Sequence, residues 1–317
     1  MDISVVIPVY NEEESLSELT SWIEKVCRSE GFSFEIIFVD DGSSDSSWDV
    51  IQSLSKSSDS IRAVRFRRNY GKAAALHTGF RHSSGDVVVT MDSDLQDSPD
   101  EIPGLYKMIR NEGYDLVSGW KKKRFDPFIK RFTSKFYNRT ARWSSGIKLH
   151  DFNCGLKAYR KEVVRSIEVY GEMHRYIPML ARDAGFHKIG EKIVQHNPRK
   201  YGVTKYGFDR FIKGYLDLLT LGFITRFGKN PMHLFGTLGT LMFIIGLIMA
   251  GYLGGRKLWY VYHDLRAPLV TDSPYFYIAL TVMVIGTLMF LTGFLGELIN
   301  RTSSGRNDYL VRDTIKI

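Results

Sequence analysis

Two long runs without a single charged residue constrain this chain more than any other feature. Residues 230–255, 26 in a row between Lys229 and Arg256, hold no Asp, Glu, Lys or Arg, and neither do residues 273–296, 24 in a row between Asp272 and Glu297. A helix needs about 20 mostly apolar residues to cross the hydrocarbon core of a bilayer. Both runs suffice, and at these lengths a membrane hairpin outweighs a buried core hairpin. The flanks set the expected orientation. Residues 199–229 carry seven Lys or Arg against two Asp, the tail 301–317 four against two, and the connecting loop 256–272 three against two. The cationic excess lies outside the hairpin, so both flanks are expected in the cytosol.

The first 200 residues read differently. Apolar runs at Ile3–Val9, Phe34–Val39, Ile61–Phe66 and Asp86–Met91 alternate with helix-like stretches around 12–29, 45–57, 71–82 and 100–111. Pro99 suits the first turn of the last of these. Such alternation predicts an α/β domain with a mostly parallel central sheet, and near-continuous apolar strands agree, because parallel sheets are covered on both faces. Hydrophobic residues make up 44% of the 317, enough for a sizeable core. Met1 and Asp2 lead straight into the first strand without a signal-peptide pattern. Cys27 and Cys154 fit no metal spacing and no disulfide framework, and read as reduced cytosolic thiols.

The formal net charge of +8 allows a nucleic acid, an anionic membrane or a phosphorylated substrate. Its location decides. In 128–145, Ile129, Phe132, Phe136 and Trp143 recur at helical spacing among Lys130, Arg131, Lys135, Arg139 and Arg142. In 205–219, Phe208, Phe211, Ile212, Tyr215, Leu216 and Leu219 form an apolar stripe flanked by Lys205, Arg210 and Lys213. Basic amphipathic helices with aromatic apolar faces suit a membrane surface, and the second runs directly into the first apolar run. Phosphates and lipid are therefore favoured as partners over nucleic acid.

The chemistry concentrates at the ends of the predicted strands, where open α/β sheets bind ligands. The fourth strand ends in Asp92-Ser93-Asp94-Leu95-Gln96-Asp97. Two carboxylates there, with diphosphate oxygens, suit Mg²⁺ or Mn²⁺, which take hard oxygen ligands. The first strand ends in Pro8-Val9-Tyr10-Asn11-Glu12 and the second in Asp40-Asp41-Gly42-Ser43-Ser44-Asp45. Asp41 suits a base imide or ribose hydroxyls, and Tyr10 a base to stack on. Ser44 and Asp45 read as helix N-caps, and Gly42 as turn geometry.

Taken in order, PVYNEE, VDDGSSD and MDSDLQDSPDE resemble the motif set of glycosyltransferase family 2. Within that family the whole chain, including its two C-terminal apolar runs, resembles the polyprenyl-phosphate glycosyltransferases: dolichyl-phosphate mannose synthase-like enzymes, bactoprenol glucosyltransferases and undecaprenyl-phosphate formamido-arabinose transferases. The resemblance implies an A-type nucleotide-sugar transferase (GT-A) fold over 1–204 and a juxtamembrane helix over 205–230. Spans are implied at 231–255 and 273–299, with a non-cytosolic loop at 256–272 and a cytosolic tail at 300–317. The bacterial inner membrane is the implied setting.

The resemblance also assigns roles. Pro8, Tyr10, Glu12 and Asp41 match positions that hold the nucleotide, and Asn69, Gly71 and Lys72 match the loop beside the donor. Asp92 matches the first carboxylate of the Asp-x-Asp pair, near donor and metal, while Asp94 and Gln96 match metal ligands. Asp151, in HDFNCGLKAYR, matches the acid at the junction of sugar and acceptor. Arg199 matches a cation on the phosphates, and Arg131 one that meets the lipid phosphate. Where the family often has Gly-Ser-Arg after its fifth strand, this chain has Ser118-Gly119-Trp120-Lys121, leaving Lys121 or Arg124 to supply the cation. The implied reaction is inverting transfer of a sugar from a UDP- or GDP-linked donor to undecaprenyl or dolichyl phosphate. The acceptor phosphate, with its second pKa near 6, hardly needs a general base. That leaves Asp151 to orient either substrate or to stabilise positive charge developing on the sugar.

Other readings are weaker. A processive polysaccharide synthase of the same fold usually carries Gln-x-x-Arg-Trp and more spans, whereas Arg142-Trp143 lacks the Gln. A non-catalytic membrane-surface protein has no need of intact Asp92, Asp94 and Gln96. Gly251-x-x-x-Gly255 permits helix packing, and with it a homo-oligomer.

Overall fold

The structure, a computed structural model, describes residues 1–122, 142, 146–171, 173–198, 200–201, 231–266, 268–302, 309 and 311–316. Arg124, Arg131 and Arg199, most of the amphipathic segment 128–145 and all of 205–219 lie outside the described residues. The chain forms two compact units, Met1–Leu221 with Asn307–Ile317, and Gly222–Arg306.

In the first unit β-branched and aromatic runs form β1 (Ile3–Val9), β2 (Phe34–Asp40), β3 (Ile61–Phe66) and β4 (Val87–Thr90), paired parallel in the order β4-β1-β2-β3. Helices α1 (Leu16–Ser29), α2 (Ser47–Ser57) and α3 (Lys72–His82) connect them, as the alternation predicts. Pro99 opens a short 3₁₀ turn that leads into α4 (Ile102–Arg110). Beyond it the sheet gains β5 (Leu116–Trp120), β6 (Lys157–Arg160) and β7 (Ile189–Ile193), with α5 (Lys161–Ser166) and α6 (Ile177–Asp183) between the last two strands. β6 runs antiparallel to both β4 and β5, and β7 parallel to β5. The result is one mixed, mostly parallel eight-stranded sheet, β7-β5-β6-β4-β1-β2-β3-β8.

The eighth strand comes from the C-terminal tail. β8 (Val311–Ile315) lies antiparallel on β3, with Ala63 opposite Ile315 and Phe66 opposite Val311. It covers an otherwise open sheet edge. Nothing in the sequence reading placed a strand there, because in VRDTI the adjacent charges of Arg312 and Asp313 break the β-branched residues into pieces too short to read as an apolar run.

The carboxyl ends of β1, β2 and β4 share one edge: Val9 is level with Asp40, and Val6 with Thr90. Because β6 is antiparallel to them, its start, Lys157, arrives at that same edge, and β5 and β7 end there. Along the helix-capping turns one expectation changes. Ser46 stands at the N-cap of α2 without a side-chain bond, while Asp45 Oδ1 accepts from Ser47 N–H at 3.0 Å. Ser44 caps nothing; its N–H donates to Asn11 Oδ1 at 2.9 Å and ties the first loop to the second.

The second unit is a helical hairpin, α7 (Pro231–Tyr262) and α8 (Pro274–Thr302). Both helices are long and apolar enough to cross a membrane, with mean hydropathy 2.0 and 2.3. α7 runs seven residues beyond the uncharged stretch, through Arg256 and Lys257. It ends where Asp264 turns left-handed at φ 53° and Leu265 N–H closes on Tyr260 O. The two helices touch through Gly239 and Gly286: a Cβ on either would come within 2.5–2.6 Å of the other's carbonyl oxygen. Gly251 and Gly255 have nothing within 4 Å of such a Cβ and take no part in this packing.

Candidate active site

The run after β4 sorts its side chains by alternation: Asp92, Asp94 and Gln96 are half-buried, whereas Ser93, Leu95 and Asp97 are buried. Leu95 takes φ 61°, bending the loop, and Asp94 Oδ1 accepts from Gln96 N–H at 3.2 Å. Three oxygen-bearing side chains thus share the open side of one short loop. The loop is held from β7's far end: Asn197 N–H donates to Gln96 O at 2.9 Å, and Asp97 bridges to His196. This set of oxygen donors fits a hard divalent cation.

Asp92 pairs with Lys72, the first residue of α3. Burial raises its pKa, but Lys72, Lys121 and Lys157 outweigh that and hold the carboxyl at about 2. It is ionised throughout the physiological range. Its backing is Gly155, where a Cβ would come within 2.5 Å of Asp92 Oδ2. Only glycine allows β6's lead-in to pass this carboxylate. Lys157, two residues on, is buried, and burial lowers its pKa, with Lys72 adding to the shift. His174, in the short turn Met173–Arg175, feels Asp92, Lys72 and Lys157; burial pushes its pKa well below the usual imidazole value and keeps it neutral.

The adjacent acids of β2 have separate tasks. Asp40 is fully buried, accepts from Ser43 N–H at 2.9 Å and meets Arg65 Nε at 3.2 Å. Asp41 accepts from the loop after β3 instead: Tyr70 N–H donates to Oδ1 at 2.7 Å and Gly71 N–H to Oδ2 at 2.9 Å. Burial raises the Asp41 pKa to about 6 despite these two bonds. Gly42 has a reason beyond its φ of 71°: a Cβ there would strike the Arg68 backbone at 2.5 Å. Tyr10 is 45% exposed at the same edge. Pro8 and Glu12 are half-buried beside it, and Asn69 is exposed. Glu12 N–H donates to Ser47 Oγ at 3.0 Å.

Lys121 reaches Asp97 at 2.7 Å, and both are largely buried. Burial opposes its charge, but Asp97, with Cys154 and Asp92 beyond, keeps its pKa above the ordinary lysine value. This ammonium therefore braces the Asp92–Asp97 loop from below. Asp151 is buried, accepts from Asn153 N–H at 3.1 Å, and has its backbone carbonyl bonded by Ser118 Oγ at 3.1 Å. The fold thus brings Tyr10, Asp41, Lys72, Asp92, Asp94, Gln96, Lys121 and Asp151 to one sheet edge. The sequence reading did not single out Tyr70, Gly155, Lys157 and His174, and it named Asp97 in the run after β4 without giving it a role. Lys157 and Gly155 stand in the same HDFNCGLKAYR motif as Asp151, which was the available signal.

A mostly parallel sheet with paired carboxylates and lysines at its carboxyl edge is the GT-A arrangement of a sugar-nucleotide transferase. The chain belongs to glycosyl transferase family 2, whose model matches residues 4–168, and is a glycosyltransferase. It is 33% identical over 318 residues to the dodecaprenyl-phosphate galacturonate synthase of Rhizobium johnstonii, covering 98% of this chain and 92% of that protein. It is 36% identical over 303 residues to the undecaprenyl-phosphate 4-deoxy-4-formamido-L-arabinose transferase of Pseudomonas syringae pv. syringae, covering 95% and 86%. Among solved structures, glucosyl-3-phosphoglycerate synthase from Mycobacterium tuberculosis, in complex with Mn²⁺, uridine diphosphate and glucosyl-3-phosphoglycerate, shares the fold. Its TM-score is 0.56 at 21% identity, over 72% of this chain and 80% of that one.

Proposed function

We propose that this protein transfers a sugar, with inversion, from a UDP- or GDP-linked donor to a polyprenyl phosphate at the cytosolic face of a membrane. The observation that carries the reading is similarity along nearly the entire chain, apolar helices included, to relatives named for dodecaprenyl and undecaprenyl phosphate. In this reading α7 and α8 span the bilayer, and the domain 1–204 and the tail 300–317 lie on the cytosolic side, as the cation distribution supports.

The donor nucleotide sits at the ends of β1 and β2, with Tyr10 under the base, Pro8, Glu12 and Asp41 around base and ribose, and Asn69 and Lys72 beside the diphosphate. Asp94 and Gln96 would hold Mg²⁺ or Mn²⁺, with Asp92 between donor and cation; when bound, the ion neutralises charge on the departing diphosphate. Lys72 adds a cation at the same place, and preorganised charge of this kind is the largest common source of transition-state stabilisation. The acceptor oxygen is already ionised, so Asp151 orients a substrate or faces the developing positive charge on the sugar. Arg199 and Arg131, with Lys121 or Arg124, are the proposed cations for the phosphates.

The test is the full-length protein in detergent with undecaprenyl phosphate and a panel of UDP- and GDP-sugars, reading lipid-linked product by mass. Asp94→Asn should lower turnover by about a hundredfold, ~2.7 kcal/mol of barrier, with thermal unfolding unchanged, and excess EDTA should do the same to the wild type. Full activity in EDTA would remove the metal; preference for a soluble sugar or protein acceptor would remove the lipid.

A further inference from the structure

The tail that closes the sheet also reaches the donor side of the site. Two residues before β8, Tyr309 packs its ring against three side chains of the β3–α3 region. The ring centroids lie 5.5 Å from Phe66, 5.4 Å from Tyr70 and 6.5 Å from His77. Phe66 and Tyr70 themselves meet edge to face at 5.5 Å, and the Arg68 guanidinium covers the Tyr70 ring at 4.7 Å. Offset and edge-to-face pairs at these separations are favourable beyond the area they bury.

Tyr70 is the middle of a loop on which two carboxylates depend. Its N–H and that of Gly71 hold Asp41, and the next residue, Lys72, pairs with Asp92. The loop does not order itself. Arg67, Arg68 and Asn69 are exposed, and Gly71 takes φ 94°. Each such residue loses conformational entropy when ordered, so contacts from outside must offset that loss. Tyr309 brings such a contact from 239 positions further along the chain, delivered by β8 in register with β3.

We propose that Tyr309 is a positioning residue for the nucleotide donor: it fixes the Tyr70 ring, and so holds the 69–72 loop where Asp41 is anchored and Lys72 reaches Asp92. This rests on the donor reading given under Proposed function. It follows that the donor half of the site is completed by a segment lying beyond both apolar helices in the sequence. A catalytic domain cut before α7 lacks that segment.

The measurement is the affinity of the full-length protein in detergent for UDP and for GDP, each with Mn²⁺, by titration calorimetry, together with apparent KM values for donor sugar and for undecaprenyl phosphate. Tyr309→Ala should weaken the nucleotide that the wild type binds by about tenfold, ~1.4 kcal/mol. It should raise the donor KM similarly and leave the prenyl-phosphate KM unchanged. Tyr309→Phe, which keeps the ring, should behave as wild type. Cys27→Ala truncates a buried side chain near the C-terminal end of α1, outside the site, and shows what general destabilisation does to binding; it should leave nucleotide affinity alone. Wild-type nucleotide affinity in Tyr309→Ala, or a loss no larger than in Cys27→Ala at equal thermal stability, overturns the proposal by itself. A wild-type protein that binds neither nucleotide overturns the donor reading, and this proposal with it.

Discussion

Asp40 and Asp41 are neighbours with the same side chain, and the strand end gives them opposite environments. Asp40 points into the sheet and finds Arg65; Asp41 points to the loop after β3 and finds two backbone N–H groups but no cation within an ion-pair distance among the described residues. Burial therefore wins at Asp41, and its pKa rises from 3.8 to about 6. The folded state binds this proton more tightly than the unfolded chain does. Ionising Asp41 thus costs stability as pH rises from about 4 to about 6, and none of that cost is recovered above it. The carboxylate form is the one that accepts from both N–H groups. Donor binding should accordingly weaken as pH falls through about 6, with the donor KM rising up to about tenfold per pH unit below it. Asp41→Asn should flatten that profile at a high KM. A donor KM constant from pH 7.5 to 5 in the wild type would show that Asp41 does not hold the donor loop.

At the scale of elements, a buried polar cluster fixes how the strands meet at the sheet's other edge. Glu35 of β2 is buried and accepts at Oε1 from Ser4 Oγ of β1 (2.5 Å), Ser84 N–H (2.7 Å) and Ser84 Oγ (2.6 Å), while Arg62 of β3 lies 2.9 Å from Oε2. One carboxylate thus joins three strands and the turn before β4. Removing it takes one acceptor from three donors, of which Ser84 N–H keeps Ser4 Oγ at 3.2 Å, and takes the carboxylate from the partly exposed Arg62. Glu35→Ala should lower the unfolding free energy by about 2 kcal/mol, the cost of leaving buried donors without their acceptor, read by chemical denaturation, while the donor KM of the folded protein stays at the wild-type value because the cluster lies at the edge away from the site. A change of KM without loss of stability would contradict this division of labour between the two edges.

For the molecule as a whole, β8 ties the two ends of the chain together. In the proposed two-span arrangement α7 and α8 carry the chain across the bilayer and back, as one sheet shared by the N-terminal strands and the tail after α8 requires. Two spans satisfy this and one or three do not. Labelling of cysteines introduced at Asp2 and in a tag appended to Ile317 should occur from one and the same side, and labelling of cysteines within residues 263–271 from the opposite side. Labelling of the tail and of the N-terminal domain from opposite sides would break the two-span arrangement and the β3–β8 pairing at once.

The sequence by itself determined the alternating α/β half, the strands β1 to β4 within a residue or two, the apolar hairpin and the carboxylates after β4. Each of these is a local signal: a run of β-branched residues, an uncharged stretch of bilayer length, an Asp-x-Asp at a strand end. Cys27 and Cys154, which fit no metal or disulfide spacing, are both buried, and burial pushes their thiols up to about 12. Tertiary structure decided the rest, because the deciding contacts join residues far apart in the chain. Gly155 is glycine because Asp92 passes it, 63 positions earlier. Lys121 is engaged by Asp97 because β5 ends beside the β4 loop in a sheet whose order does not follow the chain. Gly239 and Gly286, rather than Gly251 and Gly255, carry the hairpin contact because helix crossing selects one face, and spacing of small residues within one helix cannot say which. The tail became a strand because β3 offered an unpaired edge: five residues, β-branched at three positions but interrupted by Arg312 and Asp313, gain their hydrogen bonds from a partner 245 or more positions away, and no periodicity in the tail encodes that partner.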